Sequence, residues 1–485
     1  MNDNAVSITE TEDQKKLKVI KPMYFIQQLG SGVEKAYFAS YVNYFFTNVY
    51  MMSAAFSGIL SIIQQVLGWI GTPLFGVIFD RVSFKKAKYW PWLIIGPVLY
   101  YGAYILLFTL PAFGLIGDSS GLVALILASF VALASPVAAV PISACYPLLS
   151  SKADDRQFFA IMQKLGRDGG KTIFGYIFPA LLGSIAASSS ESTAYAICAL
   201  IAGFAPIITF IIFAFVIKDS YVERKALESE RTETGEKKQS IPLSTVFKTV
   251  LTNRPLLSMF LFMSVHKGYY FLYVTAAAYT FKYVFNDFSK MSVFMVVFNL
   301  SAIIGVTFGP LWKKIFKETK RCFTACMTTH VIFLAIIAVL FKNIGAGTFI
   351  ILFGCSSFFM GMLENYVLPM FAASADYGAW KSGNRLDGIS MSVYTLTIKC
   401  GSLIATFIRT GVLLAADLDS VTAGGAVTEH FTSTISTMFT WIPLGLGIAA
   451  LLILMFAFNL NDDRIAHINR DLSQGISGQN SELRI

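Results

Sequence analysis

The sequence predicts an all-α membrane protein with twelve transmembrane helices in two six-helix bundles. Three observations carry that expectation. Of 485 residues, 55% are hydrophobic and only 14% charged, whereas a soluble domain carries about 25% charged residues. Apolar stretches of the length a bilayer requires, about 20 residues, recur along the whole chain. Basic residues gather in every second connection between those stretches.

The predicted spans are 24–50, 55–79, 90–111, 120–148, 158–187, 191–217, 255–281, 289–311, 322–341, 346–374, 388–415 and 431–458. The residues before the first span are polar without an apolar core, so no cleaved signal peptide is expected and the first helix directs insertion. On one side lie Lys15, Lys16, Lys18 and Lys21, then Arg81, Lys85, Lys86 and Lys88, then Lys152 and Arg156. Arg224, Lys225, Arg231, Lys237 and Lys238 follow, then Lys313, Lys314, Lys317, Lys320 and Arg321, then Lys381 and Arg385. The other connections carry few or none, as in "PAFGLIGDSSG" and "GSIAASSSES". The positive-inside rule then puts both termini in the cytoplasm of a cell (inner) membrane protein. The net charge of +9 follows this topology, and no nucleic-acid partner is expected.

The longest polar insert splits the chain. The expected organisation is a cytoplasmic segment 1–23, a bundle 24–217, a linker 218–254, a bundle 255–458 and a cytoplasmic tail 459–485. The six cysteines fall in or beside apolar segments, so no disulfide is expected. "CFTAC" at 322–326 lacks partner ligands and reads as packing, so no metal site is expected.

Charges inside the spans carry the functional signal. "IMQKLGRDGGKTIFGY" (161–176) places Lys164, Arg167, Asp168 and Lys171 within the fifth span. At 3.6 residues per turn they fall in an arc of about 100°. One buried ionisable group costs about 3 kcal/mol on insertion scales, so the stripe is expected to face a cavity and not lipid. The competing reading is that Lys164 and Arg167 snorkel to the cytoplasmic surface. Helix one adds Glu34 and Lys35, helix seven His266 and Lys267, and helix ten Glu364 and Asn365. Gln64, Gln65 and Trp69 on helix two are further sugar-contact candidates, with packing as the alternative for Trp69. Arg409 is expected near the outer surface as an interfacial anchor. With Lys399 of helix eleven, the mid-depth set has six cations (Lys35, Lys164, Arg167, Lys171, Lys267, Lys399) against three carboxylates (Glu34, Asp168, Glu364). A low-dielectric cavity with excess positive charge needs a counter-ion, and an anionic cargo supplies one.

Two six-helix bundles joined by a cytoplasmic linker resemble the major facilitator superfamily, whose substrates sit near midplane. "GVIFDRVSFKKAKYWPWLIIGP" (76–97), "YPLLSSKADDRQFFAIMQKLG" and "ADYGAWKSGNRLDGISMSVYTLTIKCGS" (375–402) resemble the glycoside–pentoside–hexuronide:cation symporters, the melibiose permease family. The resemblance implies a secondary transporter for a sugar or sugar derivative working by alternating access. It also implies that Lys399 matches the family's intramembrane lysine. The departures are specific. Gly68, Thr72 and Ala139 stand where that family has cation-site aspartates, and Gly32 stands where it has a sugar-holding aspartate. A proton is therefore expected as coupling ion in preference to sodium, carried by Asp168 or Glu364.

At the cytoplasmic rim, Asp80, Arg81, Asp155 and Arg156 in the first half and Asp376, Arg385 and Asp387 in the second are expected to gate, by pairing and separating as access alternates. Solvated loop charge is the alternative for each. The expected cargo is an anionic sugar such as a uronide or a sulfonated sugar. The alternatives are a neutral glycoside or pentoside, and a lysophospholipid-type carrier. No nucleophile constellation or nucleotide loop is seen, so no enzyme and no cofactor are expected. The expected partners are the small-molecule substrate and the lipid bilayer, with the chain a monomer.

Overall fold

The computed structural model of the protein describes residues 3–82, 84, 87–115, 120–149, 153–224, 251–382, 387–474 and 476. The described residues are helical nearly throughout. In chain order the helices are α1 (Asp3–Asn48), α2 (Ala54–Arg81), α3 (Trp92–Thr109), α4 (Ser120–Cys145), α5 (Ala153–Ser188) and α6 (Glu191–Lys218). Then come α7 (Arg254–Tyr279), α8 (Lys290–Phe316), α9 (Thr319–Leu340), α10 (Ala346–Ser382) and α11 (Asp387–Ala415). Short helices α12 (Leu418–Thr422), α13 (Glu429–Ser436), α14 (Trp441–Leu452) and α15 (Asp462–Ser473) complete the chain.

Among the described residues, ten segments are long and apolar enough to cross a membrane, the last being Glu429–Ala457, built from α13, α14 and a closing π turn. The two predicted spans outside that set, 24–50 and 255–281, lie on α1 and α7. Their interiors carry Gln27, Gln28, Glu34 and Lys35, and His266 and Lys267, which lower the hydropathy of otherwise long helices. Large apolar side chains stand outward along the helices, among them Ile70, Leu74, Phe204, Phe215, Ile351 and Phe456. Apolar exposure on this scale is a liability in water. In a bilayer it is the solvated surface, because lipid tails accept it and each helix satisfies its own backbone.

The chain divides into two compact units, Met1–Lys238 with Asp419–Gly425, and Gln239–Leu418 with Ala426–Ile485. In the first, Ile20, Tyr24, Phe79, Leu93, Phe159 and Phe213 form a buried cluster. In the second, Tyr273, Phe294, Phe349, Phe353 and Phe439 pack edge-on, tilted and stacked against one another with ring centres 4.7–5.9 Å apart. Helix starts are set by side chains: Ser53, Ser190 and Asn253 accept the backbone N–H of Phe56, Thr193 and Leu256. Each satisfies a donor that the helix itself leaves unpaired.

Two glycine seams position the charged residues. On α1, a Cβ at Gly32 would sit 2.3 Å from the Arg167 carbonyl oxygen, and on α5 a Cβ at Gly170 would sit 2.3 Å from that of Leu29. On α11, a Cβ at Gly401 would meet Lys267 Cβ at 2.5 Å. Small residues let helix backbones approach this closely in a membrane. Consequently α1 lies directly against the stripe of α5, and α11 directly against the Lys267 turn of α7.

Candidate functional site

In the first unit the α5 stripe is backed by amides. Arg167 Nη2 donates to Gln28 Oε1 at 3.1 Å, Gln28 Nε2 to Gln27 Oε1 at 2.8 Å, and Gln27 Nε2 to Ser31 Oγ at 3.0 Å. Both glutamines are fully buried. Arg167 Nε is buried with no hydrogen-bond partner among the described residues. A guanidinium has five N–H donors, and a buried donor left unmade costs about 1–3 kcal/mol. An acceptor arriving beside Arg167 would relieve that cost. Asp168 and Lys171 are half-buried and Lys164 is exposed. Among the described residues, Lys164, Arg167 and Asp168 make no ion pair.

Glu34 is buried and accepts the Tyr100 hydroxyl at 3.1 Å, whereas Lys35, one position on, is exposed. Gln64 Nε2 donates to the Ala128 carbonyl on α4 at 3.3 Å, and Gln65 Nε2 to that of Ser61 at 3.3 Å, so both amides brace helices. A cleft of about 490 Å³ lies beside Thr72 and Ala139. Among the described residues its lining includes Thr72, Ser135, Ala139 and Ser143 and no acidic residue. The hydroxyls of Thr72 and Ser143 donate to the carbonyls of Gly68 and Ala139, each at 2.8 Å. Hard cations bind through several oxygens, carboxylates foremost. Among the described residues, these walls offer no carboxylate.

The second unit holds a closed pair. Lys267 Nζ lies 2.5 Å from Glu364 Oε1 and 5.5 Å from the centre of the Tyr270 ring. His266 Nε2 lies 4.0 Å from the same carboxylate oxygen. His266 is 1% exposed, its Nδ1 bonds the Tyr269 hydroxyl, and its Nε2 has no hydrogen-bond partner. Tyr269 in turn stacks on His330 of α9 at 5.6 Å, and His330 Nδ1 meets Ser356 Oγ at 2.9 Å. Asn365 Nδ2 donates to the carbonyls of Val306 and Met362 at 2.9 and 3.0 Å, joining α10 to α8. Lys399 is half-buried on α11. Arg409 corrects the expectation of an interfacial anchor: it is 2% exposed, inside the second unit, because its face of α11 points inward.

At the rims, Asp155 lies 2.6 Å from Lys21 of α1, within the same unit. Asp376 lines a cleft of about 450 Å³ with Lys313, Lys320 and Asp462. The side chains of Asp80, Arg81, Arg156, Arg385 and Asp387 lie outside the described residues. Sequence reasoning passed over Glu223, which is 3% exposed and accepts the backbone N–H of Lys88, Tyr89 and Trp90 at 2.8, 2.8 and 2.6 Å. Lys218 sits 4.9 Å over the Trp90 ring, so the end of α6 fixes the connection before α3. Within "KDSYVERK" Glu223 looks like one more linker charge. Gln27 and Gln28 were also passed over, although two adjacent amides inside a span are a visible signal.

A family model described as MFS/sugar transport protein matches residues 23–462. The isoprimeverose transporter of Lactiplantibacillus pentosus is 25% identical over 452 residues, covering 89% of this chain and 87% of that protein. The putative sulfoquinovose importer of Escherichia coli (strain K12) is 25% identical over 462 residues, covering 94% and 93%. The crystal structure of a D-xylose-proton symporter superposes with a TM-score of 0.63 at 11% identity, over 91% of this chain and 97% of that one. That likeness shows the fold alone, a major facilitator fold.

Proposed function

Because the chain belongs to the MFS/sugar transport protein family, we propose that it is a proton-coupled symporter for a sugar bearing an anionic group, such as a uronate or a sulfonated sugar. It works by alternating access in the cytoplasmic membrane with both termini inside. The observation that carries this reading is Arg167, half-buried, held by amides and left with an unpartnered Nε. A cation that the fold supports without a carboxylate is preset to receive one from outside. Lys164 and Lys171 add charge on the same helix face, and Lys35, Lys267, Lys399 and Glu364 complete the proposed set. The named specificity of the putative sulfoquinovose importer, a sulfonated sugar, agrees with this reading.

The test is equilibrium binding of glucuronate, sulfoquinovose and glucose to the purified protein. One charge-assisted contact contributes about 1.5–3 kcal/mol, so the acids should bind about ten- to a hundredfold more tightly than glucose. Equal affinities would remove the anionic reading. They would favour a neutral glycoside, the class named for the isoprimeverose transporter.

A further inference from the structure

We infer that Glu364 is the proton-coupling carboxylate, and that His266 and Lys267 are its two alternative partners. The inference rests on the anionic-sugar reading and extends it to the second unit. In the state described, Lys267 holds Glu364 Oε1 at 2.5 Å while His266 Nε2 waits at 4.0 Å from that oxygen. His266 is 99% buried and its Nε2 has no other partner, which is costly unless it gains one in another state. In the tautomer in which the Tyr269 hydroxyl donates to Nδ1, the ring hydrogen sits on Nε2, on the side of Glu364. The carboxylate thus has a second donor in place before it leaves the first.

The exchange balances. The cargo's anion takes over the Lys267 ammonium, a proton from solution binds Glu364, and the neutral acid's carbonyl oxygen accepts from His266 Nε2–H. The total charge in the site is zero before and after, since one proton enters with each monoanion. Release reverses the steps: the anion leaves, Lys267 re-pairs with Glu364, and the proton returns to solution on the opposite side. Proton and cargo each raise the other's affinity by the same factor. Protonating Glu364 without an anion would leave Lys267 half-buried and without its carboxylate, and binding the anion without a proton would strand Glu364. Each single event is costly, so both occur together.

The surrounding groups fit this assignment. On α7 the neighbours are His266, Lys267, Tyr269 and Tyr270. From α11, Tyr394 lies within electrostatic reach of Glu364 and Lys267, and Lys399 stands on the same helix. From α9, His330 reaches His266 and Cys326 is buried nearby on that helix. α8 brings its lysines, Lys290, Lys313 and Lys314, only at its ends. Among the described residues facing the pair, Glu364 is the sole carboxylate.

The test uses the full-length protein in proteoliposomes with sulfoquinovose as probe. Wild-type affinity should rise about tenfold per unit fall in pH across the coupled range, as one linked proton requires. Uptake should follow a pH gradient and ignore membrane potential. Glu364→Gln should bind the probe with an affinity that no longer changes with pH, and should lose accumulation against a gradient. Should that variant fail to fold, Lys267→Gln/Glu364→Gln removes both charges together. Infrared difference spectra then compare wild type and double variant for a carboxylic-acid band that appears at low pH. Absence of probe binding at any pH would overturn the cargo reading, whereas a band that the probe induces in wild type and not in the double variant supports the assignment. A pH-independent wild-type affinity, accumulation by Glu364→Gln, or a band that persists in the double variant overturns it.

Discussion

The two units carry cations inside their spans in opposite ways. In the first, Arg167 is held by Gln28, itself backed by Gln27, and none of these groups is charged against it. In the second, Lys267 is held by a carboxylate at 2.5 Å. Amide support orients a guanidinium without neutralising it, so its field is available to a ligand. A carboxylate neutralises an ammonium, so a ligand gains that cation only when the carboxylate is itself neutralised. On the proposed reading, the first arrangement receives an anion and the second acts as a switch.

That difference sets the order of effects expected from mutation. Lys267→Ala leaves the half-buried Glu364 without its ion-pair partner and should lower stability by about 1.5–3 kcal/mol, the range of a hydrogen bond to a charged group, read from chemical denaturation. Adding Glu364→Gln should recover a large part of the loss. Equal stability of the single and double variants would mean that the pair is not a pair in the membrane. Next in size is the glycine seam that carries the open cation. Gly32→Asp restores the family's aspartate, but its Cβ would meet the Arg167 carbonyl at 2.3 Å. Overpacking of that kind costs about 1–3 kcal/mol, before any charge is counted. Gly68→Asp, where the nearest atom to a new Cβ is 4.0 Å away, should fold with little change in melting temperature.

Sodium makes a smaller prediction. With no acid among the described residues that line the cleft beside Thr72 and Ala139, replacing sodium by choline should leave uptake of an accepted sugar unchanged. Sodium-driven uptake would place a cation site elsewhere in the molecule. The smallest effect belongs to an exposed pair at the start of α8, Asp287 and Lys290, 3.0 Å apart. The Ser289 hydroxyl, 2.6 Å away, and then Lys290 hold the Asp287 carboxyl below its ordinary value. A lowered carboxylate contributes stability above its unfolded value, lost as pH falls through the folded one. At neutral pH, Lys290→Ala should change stability by about 0–1 kcal/mol, the range of exposed pairs. A cost as large as that of Lys267→Ala would erase the distinction between buried and solvated ion pairs drawn here.

Much of the fold was legible because hydrocarbon imposes one rule on every span: apolar residues at a length set by the bilayer. The α5 stripe was legible for a related reason, since helical periodicity places Lys164, Arg167, Asp168 and Lys171 on one face. Periodicity does not say which helix that face meets. The partnership of Arg167 with Gln28, 139 positions away, depends on the seam at Gly32 and Gly170, and local sequence encodes no such approach. Arg409 was misread for the same reason. Its position along α11 suggested an outer anchor, while in the fold it is 2% exposed inside the second unit. Glu223 was lost to composition. A buried carboxylate that accepts three backbone N–H groups cannot be told from a solvated linker charge until the chain folds back over it.

The most direct measurement of the central claim is the preference for glucuronate over glucose in Lys164→Gln/Arg167→Gln, taken together with its melting temperature. No carboxylate is paired with either residue among those described, so removing both charges strands nothing. The loss in stability should be near that of one hydrogen bond, about 1 kcal/mol. The account predicts a folded protein that no longer distinguishes the acid from the neutral sugar. A folded variant that keeps its preference for the acid, or a variant that unfolds as readily as Lys267→Ala, would contradict it.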